Sequence, residues 1–212
     1  MSDAGAVVAG VLLAGGLARR MGGGDKALRR LGGRPILERV IARVRPQVGA
    51  LALNANGDPA RFAGFGLPMI ADVIAGHAGP LAGVLTGLLW ARERFPGCVW
   101  LASVATDAPF LPEDLVARLL AAVDETGADL ACAASGGRHH PVFGLWPLHL
   151  ADDLRAAVID EGLRKVDQWT ARHRLAVAEF AADPIDPFFN ANRPDDLVRA
   201  EALLAEIGAE TP

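Results

Sequence analysis

The stretch AVVAGVLLAGGLARRMGGGDKAL, residues 6–28, joins an apolar run to a loop rich in glycine and positive charge. The run 6–13 is apolar on both faces, which is typical of a strand buried in a parallel sheet. Glycines in the following loop take backbone conformations that other residues avoid, so backbone N–H groups can approach an anion. Arg19, Arg20 and Lys26 add positive charge. The stretch therefore predicts a first strand that ends at a phosphate-binding loop.

Two well-known phosphate-binding patterns do not fit this loop. The P-loop pattern G-x-x-x-x-G-K-[ST] fails because Lys26 lies between Asp25 and Ala27. The dinucleotide pattern G-x-G-x-x-G fails from Gly15, because Leu17 holds the place of the second glycine. Neither a P-loop NTPase nor a nicotinamide enzyme is supported. A surface linker, in which glycines are simply flanked by charge, remains the alternative to a nucleotide site.

Apolar strand-like runs alternate with amphipathic helix-like segments along the rest of the chain. The later predicted strands cover 50–53, 68–70, 98–104, 129–134, 141–146 and 175–179, and the predicted helices cover 35–48, 79–94, 112–124, 148–160, 165–173 and 195–207. This alternation predicts an α/β fold: one three-layer domain over residues 1–212, with a mostly parallel central sheet and helices on both faces. Ligands of such sheets bind beyond the carboxyl ends of the strands. The candidate site residues are therefore the loop 15–26, Asn54, Asp72 and Asp107.

The composition favours a protein that acts on small molecules. Hydrophobic residues make up 51% of the 212 residues, and the net charge of -4 argues against nucleic acid as the main partner. We expect no membrane partner and a cytoplasmic location, because no apolar run reaches about 18 residues and a basic signal-peptide start is lacking. Cys98 and Cys132 lie in apolar surroundings without C-x-x-C spacing. They are therefore expected to be buried thiols.

A set of short motifs in a fixed order gives the chain its resemblance to a known family. The loop 12–28 resembles the signature loop of nucleotidyltransferases with a glycosyltransferase-A-like, Rossmann-related fold. Within them, the chain is similar to the molybdenum cofactor guanylyltransferases. The other matching motifs are LNAN at 53–56, AD at 71–72, GPLAG at 79–83, TDAPFLP at 106–112, HHPVFGLW at 139–146 and FNANRPDDL at 189–197. Each motif is weak alone, but their joint order spans about residues 7–205.

The resemblance implies transfer of GMP from GTP to the terminal phosphate of molybdopterin, with or without molybdenum inserted, and release of pyrophosphate. The nucleophile is already an anion, so catalysis depends on positioning two anions and stabilising the charge that develops. The part up to about residue 110 would bind GTP and the rest the pterin. Molybdenum-inserting proteins or molybdoenzyme apoproteins would receive the product. A cytidylyltransferase or another small-molecule nucleotidyltransferase of the same fold remains an alternative, as does a non-catalytic nucleotide-binding module.

The resemblance also implies which residues act on the phosphates. Asp107 would be the Mg²⁺ ligand, and a single carboxylate suits a cation that takes only one or two from the protein. Lys26 would neutralise the departing pyrophosphate and Arg20 would assist, with Arg19 as a solvated neighbour. The alternatives are a turn aspartate before Pro109 and solvated loop charges.

Residues that contact the nucleotide are implied in the same way. The backbone residues expected at the guanine and ribose are Leu13, Ala14, Gly15 and Gly16. Asn54 and Asp72 would hydrogen-bond the base or the ribose. Turn chemistry at the ends of two strands is the alternative for both side chains.

The pterin side of the cleft is implied to contain His140, Asn190 and Asn192. His139 and His140 are not expected to form a metal pair, because adjacent side chains of an extended segment point to opposite sides. For Asn190 and Asn192, the alternative is turn and helix-start chemistry around residues 192–195.

Overall fold

A seven-stranded sheet forms the centre of the protein in a computed structural model that describes residues 7–14, 25–74, 79–191 and 193–210. The strands are β1 (Val7–Leu13), β2 (Arg30–Leu31), β3 (Arg34–Pro35), β4 (Ala50–Asn54), β5 (Met69–Ile70), β6 (Cys98–Ala105), β7 (Leu130–Ser135), β8 (Arg138–Pro147) and β9 (Leu175–Phe180). Across the main sheet their order is β5-β4-β1-β6-β8-β7-β9, and β2 pairs only with β3 in a separate hairpin. Strand β8 is antiparallel to both of its neighbours, whereas the other neighbouring pairs are parallel. The predicted mostly parallel sheet is confirmed.

Helices cover both faces of this sheet. They are α1 (Ile36–Val44), α2 (Pro80–Arg94), α3 (Leu115–Thr126), α4 (Ala151–Ile159), α5 (Val166–Thr170) and α6 (Pro194–Glu210). Apolar side chains of α1, α3 and α6 belong to one core, and those of α2, α4 and α5 belong to a second. Strand β1 supplies Val8 and Leu12 to the first core and Val11 and Leu13 to the second, as the two-residue period of a strand requires. The predicted three-layer architecture is therefore confirmed.

Several helices are shorter than their apolar patterns predict. The predicted helix 35–48 is α-helical only to Val44 and continues as the 3-10 helix Arg45–Gln47, where Pro46 lacks the N–H of an α-helical bond. The predicted helix 112–124 starts later and ends later, as α3 at Leu115–Thr126, and the predicted helix 165–173 shortens to α5. The predicted helix 148–160 starts with a 3-10 turn over Leu148–Leu150 before α4.

The hairpin between β7 and β8 makes β8 longer than the predicted strand 141–146. Gly136 and Gly137 form its turn with positive φ angles of 54° and 75°, a region that glycine enters without steric penalty. Pairing therefore resumes at once, with Ser135 opposite Arg138. The hairpin β2–β3 and the 3-10 helix Pro59–Phe65 were not predicted.

Both cysteines are free and buried, as the sequence predicts. Burial raises the pKa of the Cys132 thiol to about 11, which makes it unreactive near neutral pH.

Within the described residues, no helix combines the length and the apolar character needed to cross a membrane.

Helix α2 packs closely against the carboxyl ends of β1 and β4 because it carries glycine at the contact. A Cβ atom at Gly83 would lie 2.8 Å from Leu13 Cδ2 and closer still to Asn54 Oδ1. At Gly87, one helical turn later, it would lie 2.9 Å from both Leu101 Cδ2 and Val11 Cγ1. Real Cβ atoms do not approach other atoms so closely, so the seating of α2 depends on these glycines.

Gly83→Ala is expected to lower the free energy of unfolding by about 1–3 kcal/mol, the usual effect of overpacking a filled contact. Urea unfolding followed by circular dichroism measures it. Gly97→Ala is the matched control, because a Cβ there would meet nothing within 4 Å. The control is expected to change stability by less than about 0.5 kcal/mol. Equal stability of the two variants would contradict the proposed close packing.

Candidate functional site

The carboxyl end of β1 is the centre of the candidate site. Leu13 pairs with Asn54 of β4 on one side and with Ala105 of β6 on the other. The Ala14 N–H donates to Asn54 O at 2.9 Å, and the Thr106 hydroxyl donates to Leu13 O at 3.3 Å. Three strand ends therefore meet here, as the parallel arrangement requires. The part of the opening loop that holds Gly15, Gly16, Arg19 and Arg20 lies outside the described residues.

Asn54 and Asp72, both predicted from strand ends, contact each other directly. Asn54 is 4% exposed, and its Nδ2 donates to Asp72 Oδ1 at 2.9 Å and to Ile70 O at 3.2 Å. A second amide holds the same carboxylate, since Asn56 Nδ2 donates to Asp72 Oδ2 at 2.7 Å. The Asp72 N–H returns a bond to Asn56 Oδ1 at 2.9 Å. Two amides thus fix the Asp72 carboxylate, and each of its oxygens keeps a lone pair for a further donor.

Asp107 follows β6 and lies within the electrostatic influence of Lys26. Burial raises the pKa of the Asp107 carboxyl, and the positive charge of Lys26 opposes that rise. Lys26 begins the 3-10 helix Lys26–Leu28, which directly follows the undescribed part of the glycine-rich loop. The half-buried carboxylate is therefore costly to ionise alone and attractive to a cation.

The metal-ligating capacity of the described residues is limited. No cluster of three or more His, Cys, Asp or Glu side chains suited to a metal ion occurs among them. A single carboxylate such as Asp107 would hold a cation together with water and a bound phosphate group. This donor set fits Mg²⁺, which binds through one or two carboxylates together with phosphates, better than it fits zinc.

The C-terminal segment that carries Asn190 is attached to the Asp107 turn. The Ala191 N–H donates to Asp107 O at 2.9 Å, and Ala191 is 1% exposed. Asn190 is exposed beside it. Asn192 lies outside the described residues. The structure therefore brings the Asn190 segment and Asp107 together, although 83 positions separate Asn190 from Asp107 in the sequence.

His140 lies in a separate polar chain next to aromatic side chains. The Ser135 hydroxyl donates to Asp186 Oδ1 at 2.8 Å and lies 2.8 Å from His140 Nε2. Because the single hydroxyl hydrogen goes to the carboxylate, His140 Nε2 must be the donor to Ser135, an assignment made from the hydrogen-bond pattern. Asp186 Oδ1 also accepts from the Phe188 N–H at 2.9 Å, and the Phe188 ring lies 4.7 Å from the His140 ring.

Burial lowers the pKa of His140, even though the negative charge of Asp186 acts in the opposite direction. The neutral ring with hydrogen on Nε2 is therefore favoured, which leaves Nδ1 as an acceptor. His139 is exposed while His140 is half-buried, so the two rings face different environments as the extended segment predicts.

Sequence reasoning did not single out Asn56, Ser135 or Asp186. Asn56 stands two positions after Asn54 in LNAN, so its place just past a strand end was a usable signal. Asp186 gave no signal, because its partner Ser135 is 51 residues away in the chain.

Most of the chain, including these strand ends, matches a known protein family. The family model described as the MobA-like NTP transferase domain matches residues 10–176. The chain belongs to the MobA-like NTP transferase family. The matched range begins within β1, includes the Asp107 turn and reaches into β9. The resemblance to nucleotidyltransferases of this kind is confirmed.

Full-length relatives are similar over nearly the whole chain. A molybdenum cofactor guanylyltransferase of Rhodopseudomonas palustris (strain BisB5) is 58% identical over 193 residues, which cover 91% of this chain and 92% of the relative. One of Rhizobium meliloti (strain 1021) is 45% identical over 207 residues, covering 95% of this chain and 94% of the relative.

Solved structures share the fold. Molybdopterin-guanine dinucleotide biosynthesis protein A from Archaeoglobus fulgidus superposes with a TM-score of 0.72 at 23% identity, covering 93% of this chain and 99% of that chain. A 4-diphosphocytidyl-2C-methyl-D-erythritol synthase from Anaerococcus prevotii gives a TM-score of 0.71 at 12% identity, covering 95% and 99%. At these identities the similarity concerns the fold alone.

Replacing Lys26 is expected to raise the pKa of Asp107 further. The Lys26 charge lowers this pKa against the effect of burial, so Lys26→Met leaves burial less opposed. Carboxyl-carbon NMR of the magnesium-free protein measures the titration. Lys165→Met is the matched control, because Lys165 is not among the charges that act on Asp107. An Asp107 pKa that stays unchanged or falls in Lys26→Met would contradict the assigned proximity.

Proposed function

We propose that this protein transfers GMP from GTP to the terminal phosphate of molybdopterin and releases pyrophosphate. The observation that carries the proposal is the half-buried Asp107 carboxylate beside the charge of Lys26 at the carboxyl end of the central strands, in a member of this family. The guanylyltransferase names of relatives that are 45–58% identical support GTP as the nucleotide. The proposed activity makes the chain a transferase of molybdenum cofactor biosynthesis.

The proposed reaction needs no protein nucleophile and no general base. An oxygen of the terminal phosphate of molybdopterin forms a bond to the α-phosphorus of GTP. The bond between that phosphorus and the oxygen that bridges it to the β-phosphorus breaks. Pyrophosphate leaves with the electron pair, and no proton has to be removed from the anionic nucleophile. Charge stabilisation and alignment therefore carry the catalysis.

Asp107 is the proposed Mg²⁺ ligand. When bound, Mg²⁺ would neutralise negative charge on the phosphates. The burial of Asp107 beside Lys26 supports this role, since a bound cation stabilises the charged form of a carboxylate whose pKa is raised. Lys26 would hold the departing pyrophosphate, and we propose Arg20 as its helper.

The nucleotide would lie along the ends of β1, β4 and β5. The proposed contacts are the backbone of Leu13, Ala14, Gly15 and Gly16 and the side chains of Asn54 and Asp72. The fixed Asp72 carboxylate, held by two amides, suits a base or ribose that donates hydrogen bonds.

The acceptor would lie on the C-terminal side, with the part of the chain to about residue 110 serving GTP. His140, Asn190 and Asn192 are the proposed pterin contacts. His140 Nε2 is used in the contact with Ser135, so Nδ1 stays available to accept a hydrogen bond. This supports a contact between His140 and the N–H groups of a pterin. A cytoplasmic location and handover to molybdenum-inserting proteins or apoenzymes complete the proposal.

Pyrophosphate release is expected from wild-type protein only when GTP, molybdopterin and Mg²⁺ are all present. Comparable turnover with CTP in place of GTP would overturn the guanylyl assignment, and binding of GTP without release would point to a non-catalytic module.

Asp107→Asn is expected to reduce turnover by at least about 100-fold, because metal and phosphate charge would no longer be held together. Turnover near wild type in this variant would refute the metal assignment.

The same variant is expected to be more stable than wild type in magnesium-free buffer at neutral pH. The native Asp107 pKa lies above its ordinary value of 3.8, so between the unfolded and native pKa the native state binds more protons. The free energy of unfolding therefore falls as pH rises through that window, and the cost remains at pH 7. Asn removes this cost. Thermal unfolding at pH 7 measures the difference, and a lower midpoint for Asp107→Asn would contradict it.

A further inference from the structure

Arg61 makes an unusually complete set of contacts in the loop between β4 and β5. It lies in the 3-10 helix Pro59–Phe65, and its Nη1 donates to Asp25 Oδ1 at 2.9 Å and to Asp25 Oδ2 at 2.7 Å. Its Nη2 donates to Asn56 O at 2.5 Å and its Nε to Asp58 O at 3.1 Å. All three guanidinium nitrogens are engaged, so the group is held in one orientation.

The partners of Arg61 connect two parts of the candidate site. Asp25 immediately precedes Lys26, the cation that acts on Asp107. Asn56 is the residue whose side chain grips the Asp72 carboxylate. One guanidinium therefore joins the end of the glycine-rich loop to the strand-end network that holds Asp72.

The charge of Asp25 needs a partner at this position. Its side chain is 20% exposed and that of Arg61 is 36% exposed, so the pair is partly withdrawn from water. Asp25 and Lys26 are consecutive residues, so their Cα atoms lie about 3.8 Å apart. Without Arg61, the Asp25 carboxylate would add an uncompensated negative charge near a triphosphate bound at Lys26. The contact of Arg61 Nη1 with both Asp25 oxygens compensates that charge and fixes the position of the carboxylate.

We propose that Arg61 is a positioning residue for nucleotide binding: it neutralises and fixes Asp25, so that the Lys26 ammonium serves the phosphates. This inference rests on the proposed function in one respect, namely that a nucleoside triphosphate lies at Lys26. Arg61 itself touches neither substrate in this scheme and acts only through Asp25. Loss of Arg61 alone would therefore leave the negative charge of Asp25 uncompensated. Loss of both Arg61 and the Asp25 carboxylate would leave no such charge.

The test compares Arg61→Gln, Asp25→Asn and the double variant in the pyrophosphate-release assay. Arg61→Gln is expected to raise the KM for GTP by about tenfold, the usual scale for loss of a supporting partner, with the KM for molybdopterin unchanged. Asp25→Asn and the double variant are expected to stay within about threefold of wild type, because neither leaves the carboxylate uncompensated. Direct titration of GTP with Mg²⁺ by calorimetry provides the same comparison as dissociation constants.

Arg174→Gln is the matched control. Arg174 likewise contacts both oxygens of a carboxylate, with Nη2 at 2.7 Å from Asp129 Oδ1 and Nε at 3.4 Å from Oδ2. This pair lies at the amino ends of β7 and β9, away from the candidate site. The Arg174→Gln variant is expected to leave the KM for GTP within about twofold of wild type. Its thermal unfolding midpoint, compared with that of Arg61→Gln, shows what loss of an ion pair alone does to stability.

Two results would overturn the proposal. The first is a KM for GTP in Arg61→Gln that matches the Arg174→Gln control. The second is a double variant as impaired as Arg61→Gln, which would show that Arg61 does not act by neutralising Asp25. If Arg61→Gln does not fold, Asp25→Asn decides alone, since a tenfold loss of GTP affinity there contradicts the scheme. Failure of the proposed function gives a different result: wild type would release no pyrophosphate, but calorimetry could still compare the affinities of the variants for GTP. Wild type that binds no GTP would overturn both the proposed function and the role of Arg61.

Discussion

The reversal of strand order at β1 is the constraint on which the site depends, because successive strands are added first on one side of β1 and then on the other. From β1 the chain passes through α1 to β4 and β5, on one side of the strand, and then crosses through α2 to β6 on the other side. The two connections run over opposite faces of the sheet, because α1 and α2 belong to different apolar cores. They leave a crevice beyond the carboxyl end of β1, the place where open α/β sheets bind ligands. Gly83 keeps α2 close enough to wall this crevice against Asn54.

The two carboxylates at the crevice differ in what determines their state. Hydrogen bonds fix the position of Asp72, whereas burial makes the ionised form of Asp107 costly. Asp72 is held by two amides, so little conformational freedom would be lost when a ligand binds there. Asp107 is different, because its burial opposes ionisation and the charge of Lys26, together with a backbone hydrogen bond, relieves only part of that cost. A group kept in such a state reduces the stability of the empty protein, and a bound cation would recover it. This exchange of stability for binding would account for a carboxylate at position 107, where packing alone would favour an apolar side chain.

The sequence predicts the parts of this site that follow from local pattern. Asn54, Asp72 and Asp107 could be found because each directly follows a predicted strand, and parallel strands end at one edge. Asn56 carried the same signal, two positions after Asn54, although it was not singled out. Arg61 could not be found, because the path of the loop 55–68, including its 3-10 helix, decides which carboxylate it meets. Asp25 and Arg61 are 36 positions apart and Ser135 and Asp186 are 51 apart, separations at which no periodicity carries information. The shortened helices were missed for a related reason, since apolar spacing continues through turns where the backbone has changed.

The two halves of the proposed site are mechanically connected rather than adjacent by chance. Ser135 ties His140 to Asp186, and Asp186 holds the Phe188 N–H at the start of the segment that ends at Ala191. The Ala191 N–H in turn binds the carbonyl of Asp107. Hydrogen bonds and the peptide segment 188–191 therefore connect His140 and Asp186 to the turn of Asp107, the proposed metal ligand. Because in-line transfer between two anions depends on their relative placement, an acceptor bound at His140 and a nucleotide bound at Asp107 would be positioned by one connected set of contacts.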